Sequence, residues 1–176
     1  MRYDDLIEQV LVLRCQMRDK EAIAELIRRY HGPLLYFIGR LAANRDTAEE
    51  LFQETWLKVI RTIHTLREPG SFSSWLYRIA RNCIYQQRRD VKPHEDLDPQ
   101  IPAGQPDEDQ VILAEDVTKL HRCLDRLSPE HKEVLMLQFL EQMSYQQMAY
   151  VLECSVGTVR SRVFYAKQSL RKEMEK

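Results

Sequence analysis

The sequence predicts an all-α protein built as two small helical domains that are joined by an acidic, flexible linker. The 176 residues include only five glycines, and 44% of them are hydrophobic, which suits helices packed around a core. Apolar residues recur at helical spacing on both sides of one segment, 91–110, which is rich in proline and acidic residues. A segment of that composition cannot bury a core. We therefore expect helical domains at residues 1–90 and 111–176.

Four helices are predicted in the N-terminal domain. The first covers about Asp4 to Met17. The second opens at Asp19, a residue type that often caps the first backbone amides of a helix. Gly32-Pro33 is expected to bend or break this second helix, because proline has no amide hydrogen to donate.

The remaining two helices of this domain also have start signals. The third is predicted to start at Thr47, because Glu50 three residues later completes a capping-box pattern. The fourth starts near Ser71 or Ser73 and runs to about Arg89.

Four helices are likewise predicted in the C-terminal domain. The first runs from about Gln110 to Leu127. The second opens at Ser128, and Pro129 suits the first helical position because the amide there has no partner within the helix. The third opens at Ser144 and the fourth at Ser155, with a tight turn between them.

The net charge of −1 hides two basic segments. Residues 78–92 and 160–176 are rich in arginine and lysine, whereas acidic residues are concentrated between them. Basic segments of this kind attract the phosphates of nucleic acid, so the distribution of charge is more informative than its sum.

Several functional classes are disfavoured by what the sequence lacks. No apolar run approaches the roughly 20 residues of a membrane span and no signal-peptide pattern is visible, so we expect a cytoplasmic protein without direct membrane insertion. The four cysteines are far apart and the five histidines show no ligand spacing, so neither a metal nor a cofactor is expected. No nucleophile–base pair or phosphate loop occurs, so we predict neither an enzyme nor a small-molecule substrate.

The predicted third helix has an outward face on which acidic and amide side chains surround Leu57. An apolar anchor among polar residues is typical of a protein-docking surface. Single exposed leucines are also common on ordinary solvated faces, and this helix taken alone favours that simpler interpretation.

The predicted fourth helix separates an apolar stripe from a face of arginines with an interleaved tyrosine and asparagine. That polar face carries Arg78, Arg81, Asn82, Tyr85, Arg88 and Arg89. Guanidinium groups bind phosphates and flat side chains stack on exposed bases, so the face suits nucleic acid. An ordinary basic helix fits the pattern equally well.

The last two predicted helices form a helix-turn-helix. Small and basic residues occupy the first turns of the second helix, where a recognition helix meets base edges in the DNA major groove: Gly157, Thr158, Arg160 and Ser161. Arg160 could read guanine, and Arg162 and Lys167 would contact phosphates. A plain helical hairpin is the alternative, but the caps, the turn length and the face chemistry together favour DNA binding.

Four segments together resemble the extracytoplasmic-function (ECF) class of bacterial RNA polymerase sigma factors. Two lie in the N-terminal half, at 48–55 (AEELFQET) and 72–82 (FSSWLYRIARN), and two in the C-terminal half, at 127–131 (LSPEH) and 155–162 (SVGTVRSR). Each segment is only moderately specific alone, but their order around an acidic linker is highly specific. The chain departs from the usual class pattern at Gln86 and Tyr165.

The resemblance implies a role for each helix and a set of partners. The third helix would bind core RNA polymerase through Glu50, Leu51, Gln53, Glu54 and Leu57. The fourth would hold the opened promoter strand near the −10 element through Arg78, Arg81, Asn82, Tyr85, Arg88 and Arg89. The last would read the −35 element through Gly157, Thr158, Arg160, Ser161, Arg162 and Lys167. The implied partners are core RNA polymerase, promoter DNA and an anti-sigma factor.

The alternative is a stand-alone helix-turn-helix repressor or activator. Such a protein needs a dimer interface that places two recognition helices on two half-sites. The sequence shows no heptad stretch and no spare apolar helix that would supply that interface. The sequence therefore favours a transcription initiation factor over a stand-alone regulator.

Overall fold

The computed structural model describes residues 3–90 and 111–176, and for 111–117 it describes the helical backbone alone. Within these ranges every regular element is helical, which confirms the all-α prediction. The predicted acidic linker, residues 91–110, lies outside the described residues, so the domain boundaries stay a prediction.

Eight α-helices make up the described fold. Four belong to the N-terminal part: α1 (Tyr3–Gln16), α2 (Lys20–Leu41), α3 (Arg45–Thr62) and α4 (Phe72–Asp90). Two short 3-10 turns, Ile63–Thr65 and Pro69–Ser71, connect α3 to α4. The C-terminal part contains α5 (Val111–Asp125), α6 (Pro129–Phe139), α7 (Tyr145–Leu152) and α8 (Val156–Met174).

Four of the predicted helix caps are present. The side chain of Asp19 accepts hydrogen bonds from the amides of Glu21 and Ala22 at the start of α2. Ser128, Ser144 and Ser155 cap α6, α7 and α8 in the same way. These caps satisfy amides that would otherwise lack partners, so each helix start is determined by local sequence.

Two predictions about the N-terminal helices need correction: the predicted start of α3 is wrong, and of the bend or break predicted at Gly32-Pro33 the break is excluded. The α3 helix begins at Arg45 rather than at Thr47, because Asn44 is the cap and its side chain accepts from the Thr47 amide. The α2 helix is not broken at Pro33 but continues to Leu41. Buried apolar residues on both sides of the proline, among them Leu26 and Leu41, hold the helix on the core along its whole length.

The core of the N-terminal domain lies between α2, α3 and α4, with α1 packed on α2. Aromatic side chains meet edge to face at its centre: the rings of Tyr30 and Phe72 are 5.5 Å apart and those of Phe37 and Tyr77 are 5.1 Å apart. These fully or almost fully buried rings fix the position of α4 against α2.

The C-terminal domain packs directly on the N-terminal domain. The α6 helix lies between α8 of its own domain and α2 of the other, and α7 lies against α4. Five consecutive residues of α6, 133–137, are buried, as expected for a helix with neighbours on more than one side. The pair Arg40–Asp125 joins the two domains with two N–O distances of 2.8 and 2.9 Å.

This packing covers both sides of α4. Phe72, Leu76 and Ala80 are buried on one side of the helix, but Tyr77 and Ile84, which lie away from that stripe, are buried as well. The single-sided split predicted for this helix is therefore wrong. The reason is that a second domain occupies part of the face that one amphipathic helix alone would leave to water.

The turn between α7 and α8 contains a residue in the left-handed region. Glu153 ends α7 with φ 53° and ψ 42°. Glycine is the usual residue at such a helix end, and a residue with a side chain costs roughly 1–2 kcal/mol there. The strain at Glu153 is therefore a feature that sequence pattern alone does not explain.

The α1 helix carries an exposed apolar stripe. Its members, Tyr3, Leu6, Val10 and Leu13, together with Met17 just past the end of the helix, are between 48% and 80% exposed and follow one another at alternating spacings of three and four residues. That is heptad spacing. Leu11, Val12 and Cys15 of α1 are buried, so the exposed stripe is a second apolar face that the core does not use. The expectation that the sequence holds no spare apolar helix face is therefore wrong for α1.

Two leucines of α3 test the placement of that helix. Leu51 is 2% exposed and Leu57 is 54% exposed. Replacing Leu51 by Ala should lower the free energy of unfolding by about 2–5 kcal/mol, because a buried cavity is created. Leu57→Ala should change it by less than about 0.5 kcal/mol. Urea unfolding of both variants measures the difference, and equal losses would show that the face assignment is wrong.

Candidate polymerase and nucleic-acid interfaces

Four of the five α3 residues predicted to bind polymerase are exposed or half-buried. Glu50 and Gln53 are exposed, and Glu54 is half-buried in an ion pair with Lys58, with 2.7 Å between Oε1 and Nζ. Leu57 projects into solvent among these polar groups. The α3 helix therefore presents an apolar side chain framed by carboxylate and amide groups.

Leu51 does not belong to that surface. Its side chain is buried in the core of the N-terminal domain, so the prediction that Leu51 contacts polymerase directly is wrong. Ile60, one turn beyond Leu57, is 42% exposed and enlarges the apolar part of the same surface. Its spacing of three residues from Leu57 is the sequence signal that could have identified it.

The basic face of α4 is covered in part by the C-terminal domain. The Nε and Nη2 atoms of Arg78 donate to Glu153 Oε1 at 3.1 and 2.6 Å. The same guanidinium lies over the ring of Tyr150, with 4.5 Å between its central carbon and the ring centroid. Arg78 thus contacts an aromatic ring of α7 and the carboxylate of the residue that follows that helix.

Arg81 is engaged one turn further along α4. Its Nε atom lies 3.4 Å from Glu133 Oε1, and Glu133 is fully buried. Burial raises the pKa of the Glu133 carboxyl, and the guanidinium of Arg81 opposes that rise. Arg81 also lies over the ring of Tyr85, 4.4 Å from its centroid. Arg81 and Tyr85 thus lie beside a buried carboxylate of the other domain.

The other members of the α4 set are open to solvent. Asn82, Arg88 and Arg89 are all exposed. Arg88 also donates through Nη2 to the backbone carbonyl of Leu41 and lies 5.5 Å from the Tyr85 centroid. Of the six residues predicted to contact the −10 element, Arg78 and Arg81 contact the C-terminal domain, and their side chains are 35% and 15% exposed.

The predicted recognition surface on α8 is largely exposed. Gly157, Arg160 and Ser161 are exposed and Thr158 is half-buried. The hydroxyl of Ser155 accepts from the Thr158 amide at 3.1 Å, which fixes the first turn. Val159, Val163 and Ala166 are buried on the opposite face. The helix therefore directs its small and basic residues outward at its N-terminal end.

Further along α8, the predicted phosphate contacts differ in their environment. Arg162 is half-buried, with Nη2 3.8 Å from Glu130 Oε1, whereas Lys167 lies over the ring of Phe139 with its Nζ 5.1 Å from the centroid. Tyr165 is 57% exposed and its ring meets that of Phe164 edge to face at 5.4 Å. An exposed aromatic pair thus borders the basic face.

Sequence reasoning missed the acidic residues that meet α4. Glu133 and Glu153 come from the C-terminal domain, and neither the spacing nor the composition of that domain indicates that they reach Arg81 and Arg78. Only the docking of one domain on the other brings these groups together.

No group of three or more potential metal ligands occurs among residues 3–90 and 111–176. In the same ranges no helix is long and apolar enough to cross a bilayer. The cysteines Cys15, Cys83 and Cys123 are buried as free thiols and Cys154 is half-buried. Burial raises the pKa of Cys15 to about 11, so its thiol is protonated at neutral pH.

Comparison with known proteins identifies the family. Residues 26–93 match Sigma-70 region 2, and residues 118–170 match Sigma-70 region 4. The chain is 30% identical over 183 residues to the RNA polymerase sigma-H factor of Pseudomonas aeruginosa, which covers 96% of this chain and 94% of that protein.

Two further relatives carry the name ECF sigma factor. The sigma-E factor of Haemophilus influenzae is 29% identical, with 98% of this chain and 97% of that protein covered. The factor SigE of Mycolicibacterium smegmatis is 32% identical over 86% of this chain, which spans 61% of that longer protein.

Solved structures share the fold. CnrH, in complex with the cytosolic domain of CnrY, superimposes with a TM-score of 0.70 at 18% identity, over 96% of this chain and 97% of that one. RpoE of Bartonella quintana, in complex with the anti-sigma factor NepR, superimposes with a TM-score of 0.72 at 24% identity. The match covers 86% of this chain and 96% of that one.

The chain therefore belongs to the RNA polymerase sigma factors, the initiation factors that direct polymerase to promoters. Within that family it falls in the ECF group, in agreement with its matches to regions 2 and 4 and with the names of its relatives. The stand-alone repressor interpretation finds no support among these relatives.

Proposed function

We propose that three surfaces of this chain divide the work of promoter recognition. The outer face of α3 binds core RNA polymerase, the basic face of α4 holds the opened strand at the −10 element, and the start of α8 reads the −35 duplex. The observation that carries the proposal is that each helix packs on the core by one face and presents suitable side chains on another. These are an apolar anchor on α3, arginines with a tyrosine on α4, and small and basic residues on α8.

The polymerase contact depends on Glu50, Gln53, Glu54 and Leu57. It also includes Ile60, which is exposed one turn beyond Leu57. A leucine that is 54% exposed among polar groups has the anatomy of an interface anchor with a polar rim. Leu57 would become buried on binding, and the surrounding carboxylates and amides would select basic or polar partners.

The DNA contacts follow from the geometry of donors. Arg78, Arg81, Arg88 and Arg89 supply forked donors for phosphates, and Tyr85 supplies a ring on which a base can stack. Arg160 stands at the start of α8, where bidentate donation to guanine is possible in the major groove. Each surface is small, so the polymerase supplies affinity by holding both DNA contacts at high effective concentration.

We extend the proposal to location and regulation. A protein that works with RNA polymerase on promoter DNA acts in the cytoplasm and catalyses no reaction of its own. An anti-sigma factor is the expected regulator, and its support is that both fold relatives described above were solved with a protein partner, named as an anti-sigma factor in one case.

Run-off transcription on a promoter library tests the function. Core polymerase with the wild-type chain should initiate at specific promoters, and core polymerase alone should not. Leu57→Asp should abolish this activity and co-elution with polymerase, because a charge would replace the apolar anchor, while its urea unfolding stays close to wild type.

Leu13→Asp is the matched control. Leu13 is 48% exposed on α1 of the same domain, so it receives the same charge at similar exposure outside the proposed surface. Activity should persist in this variant. Loss of activity in Leu13→Asp and not in Leu57→Asp would move the polymerase contact from α3 to α1.

Two substitutions in α8 separate base reading from phosphate binding. Arg160→Ala should relax the preference at one upstream base pair, at a cost of about 1–3 kcal/mol for the preferred base. Lys167→Ala should weaken binding similarly for all sequences and reduce the salt dependence of log K by about one unit.

Promoter selection from a randomised −35 library, at two salt concentrations, measures both effects. A uniform loss of affinity in Arg160→Ala, with no change of sequence preference, would exclude it as a base-reading residue.

A further inference from the structure

The exposed apolar stripe of α1 takes no part in the three contacts proposed above. We infer that this stripe is the contact surface of a homodimer, in which α1 of one copy packs antiparallel against α1 of a second copy. The evidence is the spacing of the stripe, the way the core holds the helix, and the distribution of charge along it. The inference goes beyond the proposed function and does not depend on it.

The stripe has the geometry of a helix-pairing surface. Its side chains occupy the a and d positions of a heptad, which meet the same positions of a partner helix. Ile7 lies beside them, one turn from both Tyr3 and Val10, and is 37% exposed. Among the described residues, no other helix exposes an apolar stripe along its whole length. A second copy of α1 is therefore the surface of this chain that matches the stripe, as in a two-fold dimer, where one patch serves both copies.

Contacts with the rest of the N-terminal domain fix α1 with the stripe outward. Leu11 and Val12 are buried on the opposite face. Glu8 accepts a hydrogen bond from the hydroxyl of Tyr30 at 2.6 Å. Gln16 donates through Nε2 to two backbone carbonyls that follow α3, at 3.1 and 2.7 Å. Because the helix is already formed and held, its pairing with a second copy orders little additional backbone.

The charges along α1 determine the direction of pairing. The first turn carries Asp4 and Asp5, the last turn carries Arg14, and Arg18 follows the end of the helix. An antiparallel pair places the acidic end of each copy beside the basic end of the other, at both ends of the contact. A parallel pair would place like charges together. The helix is therefore complementary in charge to an inverted copy of itself.

The polar residues of α1 disfavour other classes of occupant. Within the helix three acidic residues, Asp4, Asp5 and Glu8, outnumber one basic residue, Arg14. Helices that lie on membrane surfaces are rich in lysine and arginine on the polar face, and nucleic acid also requires basic groups. A protein surface is the remaining class, and the charge pattern selects a copy of this chain.

The contact is small, which determines how tightly the copies associate. The α1 helix has 14 residues, so it is about 21 Å long. Two helices of this length bury less than the roughly 800 Å² per partner of a standard stable interface. The dimer should therefore form at high protein concentration and dissociate on dilution.

Sedimentation equilibrium of the full chain over a range of concentrations tests the inference. The mass of the wild type should approach that of two chains as the concentration rises. Leu13→Asp and Val10→Asp should each lower the association constant by more than about tenfold, because two carboxylates would enter one apolar contact. Leu13 and Val10 are 48% and 49% exposed, so the urea unfolding of both variants should stay close to wild type.

Leu57→Asp is the matched control for self-association. Leu57 is 54% exposed on α3, so it receives the same charge at similar exposure outside the stripe. This variant should associate as the wild type does. An equal loss of association in Leu57→Asp, or a wild-type chain that stays monomeric at every concentration, would overturn the inference.

Charge reversal tests the antiparallel direction. Asp4→Lys and Arg18→Glu should each weaken self-association by about threefold, because like charges then meet at both ends of the contact. An equimolar mixture of the two variants should recover wild-type association, since each end then joins opposite charges. Wild-type association of both variants when measured separately would overturn the antiparallel arrangement.

Co-elution with core polymerase separates this inference from the proposed function. A monomeric Leu13→Asp that still co-elutes, beside a dimeric Leu57→Asp that does not, supports both. If the wild type is monomeric and Leu13→Asp loses polymerase, the stripe binds the enzyme and the dimer inference fails. If Leu57→Asp keeps polymerase while Leu13→Asp alone loses self-association, the proposed α3 contact fails and the dimer inference stands.

Discussion

The buried position of α4 is the constraint on which the rest of the structure depends. One side of this helix packs against α2 and α3, where the rings of Phe37 and Tyr77 meet, and another side lies against α7. Its arginines are therefore available only in the space that the two contacts leave. A helix that must both complete a core and bind a partner is restricted in sequence on almost every side.

The local rules of helix formation made much of this fold predictable. Serine and aspartate caps act through their own backbone neighbours, so Asp19, Ser128, Ser144 and Ser155 could be assigned from sequence. Pro33 and Leu51 could not be placed correctly, because tertiary burial decided both. Burial of the residues on both sides of Pro33 keeps α2 continuous. Burial also places Leu51 in the core, although the class resemblance implied that it contacts polymerase.

The two candidate DNA surfaces also differ in how far they could be predicted from the sequence. The face of α8 depends on the periodicity of one helix, so Arg160 and Ser161 were found where the sequence placed them. The environment of Arg78 and Arg81 depends on a second domain, whose contacting residues lie more than 50 positions away in the sequence. The contacts of Glu133 and Glu153 could therefore not be predicted from the sequence, since residues that meet from distant parts of a chain show no characteristic spacing.

The exposure of α8 and the cover over α4 differ, and that difference implies an order of events. Under the proposed roles, the helix that would read double-stranded DNA is exposed, whereas Arg78 and Arg81 on the helix that would hold a separated strand are paired with Glu153 and Glu133. Contact with the upstream duplex would then need no rearrangement of the protein. Contact of these two arginines with a single strand would require them to leave their carboxylate partners.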